Sequence, residues 1–526
     1  MFWPMTPRRP PLLSWVPLGG RYHTYGLAIW LFLRGLALVY AVAFLALAVQ
    51  LPGLLGSHGI LPISEALAAG KSNLGVSRYF QAPSLFWWIG GNDSLFQFLA
   101  WAGVWLALLL FSDVAPGWIA LALWALYLSF VSLGREFFFF QWDSLLLEAG
   151  LLGVLIAPWR LRPHWGTAPA PPPLSSFWLQ WLLFRVLFLS GVVKLASKDP
   201  TWRALTVLQY HYETQPLPSP LSWFFFHLPL AFHEFTAFLV LAAELAIPCV
   251  FFVGRFGRLF GCAVSLLLQF FILLTGNHAF YNWLTLVLSL ALLDDSLLHR
   301  LLPGLRCDPR PVSPLQQRLS PIVGSLLFLL SLPLFLAVLG VRPPQPVAKV
   351  LTAIRPFRSV NDYGAFAVMT TRRLEIVIEG SRDGVNWVSY PFRWKPGDLR
   401  TMPAFVAPYQ PRLDWQMWFA ALSGPARTPW FPRLAQRLLE GSPEVAALFA
   451  ANPFRDAPPT YVRALLYEYW FSAWGTLRHT GNWWQRELLG FYLAPSALRR
   501  PQPEGEVRTL SGLPESQASL RTPQER

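Results

Sequence analysis

Residues 135–150 read REFFFFQWDSLLLEAG. Four consecutive phenylalanines and a run of three leucines make the stretch apolar enough for a membrane, yet it carries Arg135, Glu136, Asp143 and Glu148. A charge at the centre of a bilayer costs at least about 2.5–3.5 kcal/mol on insertion scales, so such groups face a partner or a cavity rather than lipid. On a continuous helix, Glu136 and Asp143 share one face and Gln141 and Glu148 a second, while Asp143 and Glu148 diverge by about 140°. The segment is therefore expected to meet two neighbours, or one neighbour and a cavity.

The rest of the chain sets this stretch in a membrane. Of 526 residues only 13% are charged, about half the usual share for a soluble chain, and the mean hydropathy is +0.40. The apolar residues fall in continuous runs long enough for helices to cross about 30 Å of hydrocarbon. Continuous runs rather than alternation exclude a barrel. Nine spans are expected, at 27–50, 95–111, 117–133, 137–157, 177–196, 235–253, 259–275, 279–293 and 321–341. The fold class is thus a polytopic α-helical membrane protein. Residues 1–26 form an N-terminal segment, 27–341 the multispanning domain, 342–497 a soluble mixed α/β domain, and 498–526 a polar, Pro-rich disordered tail.

Lysine and arginine in the short loops set the orientation. With the N-terminus in the cytoplasm, the cytoplasmic segments hold eleven: Arg8, Arg9, Arg21, Arg160, Arg162, Arg255, Arg258, Arg300, Arg306, Arg310 and Arg318. The opposite loops hold five: Lys71, Arg78, Arg135, Lys198 and Arg203. This places 342–526 on the extracytoplasmic side, together with loops 53–93, 135–143, 198–234 and 276–281. The net charge of +14 does not imply nucleic acid, because the basic residues lie mainly between apolar runs and in the C-terminal third, without a basic recognition helix. The partner that composition implies is the lipid bilayer.

Six ionisable residues fall inside spans: Arg34, Asp143, Glu148, Arg185, Lys194 and Glu244. Three are basic and three acidic, so a mutually paired polar core would satisfy them. Alternatively, Asp143 and Lys194 line a site open to the extracytoplasmic side. Cys249, Cys262 and Cys307 make no even-numbered disulfide framework. Catalytic and metal motifs fail at defining positions. Gly70-Lys71-Ser72 ends like a phosphate loop, but Glu65 stands where glycine is required. His233-Glu234 opens like a zinc-protease helix, but residue 237 is alanine. No G-x-S-x-G occurs. Neither a cofactor nor a metal is expected.

After Val341 the pattern changes. Residues 373–379 (RLEIVIE) and 385–392 (VNWVSYPF) flank Asp383-Gly384, a hairpin signal. Residues 413–422 read as a helix carrying Trp415, Trp418 and Phe419 on one face. A helix pair broken at 441–443, a strand at 461–471 and a short helix at 483–492 complete the domain. The aromatic residues Trp223, Phe224, Trp415 and Trp418 belong to a core and interfacial belt, or form an exposed apolar surface for binding.

The stretches FFFFQWDSLLLEAG (137–150), SGVVKLASKDPTWR (190–203), YHYETQPLPSPLSWF (210–224), GNHAFYNWLT (276–285), LEIVIEGSRDGVNW (374–387) and PAFVAPYQPRLDWQMWFAAL (403–422) resemble the lipase maturation factor family. The resemblance covers about residues 20–495. It implies a multispanning protein, resident in the endoplasmic reticulum in eukaryotes or the inner membrane if the host is bacterial. It also implies a chaperone-like role for secreted lipases, exercised through contacts rather than turnover. A shorter likeness, Ser190-Gly191-Val192-Val193-Lys194-Leu195, is similar to the transmembrane domain of vitamin K-dependent gamma-carboxylases, where the matching lysine serves in base chemistry. That likeness implies an alternative membrane enzyme using Lys194.

Overall fold

The computed structural model describes residues 25–163, 167–498 and the short strand 507–509. The N-terminal arginines Arg8, Arg9 and Arg21 lie outside the described residues.

Helix α1 (Gly26–Leu55) is the longest, and Asp295 carboxylate oxygens accept from the free N–H groups of Gly26 and Leu27 at 2.8 and 2.9 Å. A carboxylate there satisfies backbone donors and complements the helix dipole. Helices α2 (Asp93–Phe111) and α3 (Pro116–Leu133) form a tight hairpin, with Asn92 capping α2 and proline at the start of α3. Next come α4 (Gln141–Ile156) and α5 (Ser175–Ala196). Two short helices, α6 (Val207–Thr214) and α7 (Pro220–Phe226), lead to α8 (Leu230–Leu245), α9 (Gly254–Thr275), α10 (Tyr281–Ser289) and α11 (Pro314–Val338). Strands β1 (Thr167–Ala170) and β2 (Arg306–Pro311) pair in parallel and tie two loops together.

Among the described residues, seven helices are long and apolar enough to cross a membrane, not nine. The spans expected at 137–157 and 279–293 correspond to α4 and α10, which are shorter. Sixteen residues in α4 give about 24 Å, less than the hydrocarbon thickness. Helix α4 is an interior element: only Gln141, Leu151 and Leu155 keep partial exposure. Glu136 belongs to a separate 3-10 turn, Arg135–Phe138, and α4 begins only at Gln141. The shared face expected for Glu136 and Asp143 therefore does not exist.

The C-terminal domain is built on an antiparallel sheet of order β4-β3-β5-β6-β7. Strand β3 (Arg373–Ser381) turns through Asp383-Gly384, with Gly384 at φ +77, into β4 (Val388–Ser389). The hairpin is present, but its second strand has two residues rather than the eight expected. Strand β5 (Tyr461–Phe471) holds the centre. The stretch 483–492, expected as a helix, instead lies from Trp484 onward in strand β6 (Trp484–Leu498), paired with β5 from Phe471↔Trp484 to Val462↔Ser496. The run QRELL favours a helix locally, and the ladder to β5 overrides it. Strand β7 (Val507–Thr509) pairs with the end of β6 inside the stretch expected to be a disordered tail. Helices α12 (Arg412–Ser423) and α13 (Trp430–Leu439) pack beside the sheet.

The four loops predicted to share one face all meet this domain. Arg437 donates to the Gly59 carbonyl, Arg412 to the Phe137 carbonyl, Trp223 to the Ser472 carbonyl and Asn277 to the Ala404 carbonyl. The fit is close where α1 passes under it. A Cβ at Gly53 would meet the Glu444 carbonyl oxygen at 2.4 Å and Leu448 Cγ at 2.8 Å. Alanine by itself favours a helix by about 1 kcal/mol over glycine, whereas such overpacking costs about 1–3 kcal/mol. Gly53→Ala is accordingly expected to loosen the domain junction. Limited proteolysis in detergent should cut residues 342–497 faster than in wild type, with Leu38→Ala on the exposed face of α1 as the unchanged control.

Candidate functional site

Buried ionic groups organise the interior among the described residues, and the sequence singles out both partners in only two of them, Glu148–Arg185 and Lys194–Glu244. Asp143, at the start of α4, is fully buried and accepts a two-pronged bond from Arg412 of α12: Nη1 to Oδ2 at 3.0 Å and Nη2 to Oδ1 at 2.9 Å. Tyr127 Oη of α3 donates to the same carboxylate at 2.5 Å, and Arg412 also donates to the Phe137 carbonyl at 2.6 Å. The guanidinium lies over the Phe138 ring, 3.7 Å from its centroid. Gln50 of α1 closes the joint, accepting from the Arg412 backbone N–H and donating to the Gln410 carbonyl.

One turn and a half along α4, on the diverging face, Glu148 pairs with Arg185 of α5. Its other oxygen accepts from the Asn361 backbone and side chain, both at 3.0 Å, and from Tyr363 Oη at 2.8 Å. Arg34 of α1 pairs with Asp113 of the α2–α3 turn, which Arg160 also reaches at 2.6 Å. Lys194 of α5 donates to both Glu244 oxygens at 2.7 and 2.6 Å, with its ammonium 5.2 Å from the Trp202 ring centroid. In the C-terminal domain, Arg373 and Lys395 flank Glu375, and Arg373 donates to the carbonyls of Glu213, Gln215 and Pro216.

Of the six intramembrane charges, four therefore pair among themselves, as Glu148–Arg185 and Lys194–Glu244. Arg34 and Asp143 pair outside that set, with Asp113 and Arg412. Asp113 sits in the short loop between α2 and α3 and reads as a solvated turn residue. Arg412 lies in a domain that reads as separate from the membrane. Asp143 and Lys194 do not share a site.

The aromatic candidates divide. Trp223 is completely buried, packed edge-on against Trp474 and Trp483. Trp415 is buried against Trp142. Neither offers a surface, because both fill the junction between the domains. Trp418 keeps partial exposure with its indole N–H on the Thr214 carbonyl, and Phe224 is 38% exposed beside Trp474 at 46%.

Lys194 and Glu244 form one end of a cavity of about 530 Å³ between α8 and α9. His211 of α6 and His278 line the same end, their rings stacked with centroids 6.2 Å apart. The remaining lining is almost all apolar. Burial lowers the His211 pKa to about 3, with His278 and Lys194 adding repulsion, and lowers that of His278 to about 4. Nearby, burial raises Glu213 to about 7.

Residues 27–300 match the family model described as the lipase maturation factor transmembrane domain, and 359–494 match the lipase maturation factor C-terminal domain. The chain is 36% identical to lipase maturation factor 2 of Homo sapiens, over 91% of this chain and 84% of that protein. It is 34% identical to lipase maturation factor 1 of Homo sapiens, over 94% and 93%. Lipase maturation factor 2 of Rattus norvegicus is 35% identical over 90% and 83%. No solved structure matches the chain.

The two histidines make stability fall on the acid side. Above pH 6.5 they are neutral in both folded and unfolded chains. Below it the unfolded chain takes up protons that the folded one refuses, at about 1.4 kcal/mol per pH unit for each histidine. Glu213 acts in the opposite sense, so the informative readout is a difference between proteins. Between pH 6.5 and 5.5 the wild type should lose about 1 kcal/mol more than His278→Gln, measured as unfolding midpoints in detergent at the two pH values.

Proposed function

This chain belongs to the lipase maturation factor family, and from that premise we propose that it assists the folding or assembly of secreted or exported lipases, or of similar exported proteins, from within the membrane. The observation that carries the proposal is the extent of the likeness. It runs through the helical bundle and the C-terminal sheet alike, along about nine-tenths of the chain.

The charge distribution supports a C-terminal domain in the lumen or periplasm, where exported clients fold. Lysine and arginine crowd the loops at the other end of the bundle, and such loops stay in the cytoplasm. The residence is then the endoplasmic reticulum membrane, or the inner membrane of a bacterium, with the N-terminus cytoplasmic. Exposed apolar groups on the domain side support a role exercised by contact. Phe224 and Trp474 lie with ring centroids 5.8 Å apart, and β6 leaves Leu488 and Phe491 more than half exposed. Trp418 is the remaining aromatic candidate. Chains that have yet to bury their own apolar residues would bind such a surface through the hydrophobic effect.

Photocrosslinking tests this in native membranes. A photoreactive side chain at Phe224 or Phe491, in cells secreting a dimeric lipase, should capture newly made lipase, and capture should decline as the lipase becomes active. Unchanged secretion of active lipase after removal of the chain, together with no captured exported protein, would overturn the proposal.

A further inference from the structure

The cavity beside Lys194 has two ends of different chemistry. Among its lining residues, Phe235 of α8 and Leu267 of α9 are 61% and 56% exposed, on faces that hydrocarbon would cover. Its inner end holds the Lys194–Glu244 pair and the two stacked histidines. At about 530 Å³ it falls within the range of about 300–1,000 Å³ typical of small-molecule sites.

The inner end carries no net charge. The Lys194 ammonium is matched by the Glu244 carboxylate in a two-oxygen contact. Burial keeps both histidines neutral, at pKa values of about 3 and 4. A phosphate or carboxylate head would therefore enter a dry site with no uncommitted cation to meet it, a costly burial. His278 is only 4% exposed, and neither of its ring nitrogens has a hydrogen-bond partner among the described residues. A neutral imidazole offers one donor and one acceptor. Leaving them unpaired in the interior costs about 1–3 kcal/mol each, so the site favours a guest that can both donate and accept.

We propose that this cavity binds an uncharged, hydroxyl-bearing membrane lipid, its alcohol head on His278 and its hydrocarbon chain passing between α8 and α9 into the bilayer. A hydroxyl supplies both a donor and an acceptor, and the apolar walls take the first part of the chain. The site is separate from the surface proposed for clients, so it stands or falls independently of the maturation role.

The test uses the full chain in lipid nanodiscs with three diazirine probes of equal chain length: a monoacylglycerol, the corresponding lysophosphatidate and a hydrocarbon without a hydroxyl. Adducts are mapped by mass spectrometry. The monoacylglycerol is expected to label α8 and α9 about tenfold more than either other probe, the worth of one buried hydrogen bond. Labelling should fall severalfold in His278→Phe, which removes the polar contact, and in Ala243→Trp, which fills the cavity. Leu266→Trp, which does not line the cavity, should leave labelling unchanged. Excess unlabelled fatty alcohol should compete the signal away on the wild type, which keeps the test decisive if Ala243→Trp fails to fold. Equal labelling by lysophosphatidate or by the hydroxyl-free probe would overturn the proposal, as would a failure of the alcohol to compete.

Discussion

The fork between Arg412 and Asp143 is the constraint on which the rest of the structure depends. Both side chains are fully buried, one on the first turn of a C-terminal helix and the other on the first turn of α4. Two charges removed from water persist only when paired and hydrogen-bonded. Here Tyr127 and the Phe137 carbonyl complete the set. The C-terminal domain is thus seated on the bundle through its core. Arg373, donating to three carbonyls of the 213–216 segment, and Asn361 with Tyr363 on Glu148, fix the same seat from two other sides. A buried ion pair is weak evidence for added stability. It specifies position, because any displaced arrangement leaves a charge alone.

That seat explains the carboxylates of residues 135–150. Helix α4 is surrounded by protein, so its acids never meet lipid. Asp143 and Glu148 diverge along it and reach two different groups of neighbours, one carried by α12 and one by α5 and the 361–363 segment. The Lys194–Glu244 pair has a different setting, since it borders a cavity. There the pairing leaves an electrically neutral end beneath apolar walls, which decides the kind of molecule the cavity suits.

The bundle was largely legible in the sequence because apolar length is a local property, and seven runs read directly as helices. Helices α4 and α10 read as spans since composition does not distinguish a short buried helix from a crossing one. Strand β5 was legible from its β-rich composition, and the β3–β4 hairpin from Asp383-Gly384. Strand β6 was not, because its identity comes from pairing with β5 rather than from Gln485–Leu489, which favour a helix locally. Among the charges, those inside spans stood out because the membrane makes them costly. Asp113 and Arg412 did not, since a loop and a soluble domain tolerate charge, and only the fold buries them. The two histidines come from separate connecting segments, His211 from the short helix α6 and His278 from the turn before α10, so no spacing links them.

The most direct measurement of the domain lock is a double-mutant cycle of Asp143→Leu and Arg412→Met, read as unfolding free energy in detergent. Each single change should cost about 3–5 kcal/mol, because it leaves the other charge buried and unpaired. The double variant should cost several kcal/mol less than their sum. Additive costs, or single changes near zero, would contradict the claim that this pair holds the C-terminal domain to the membrane bundle.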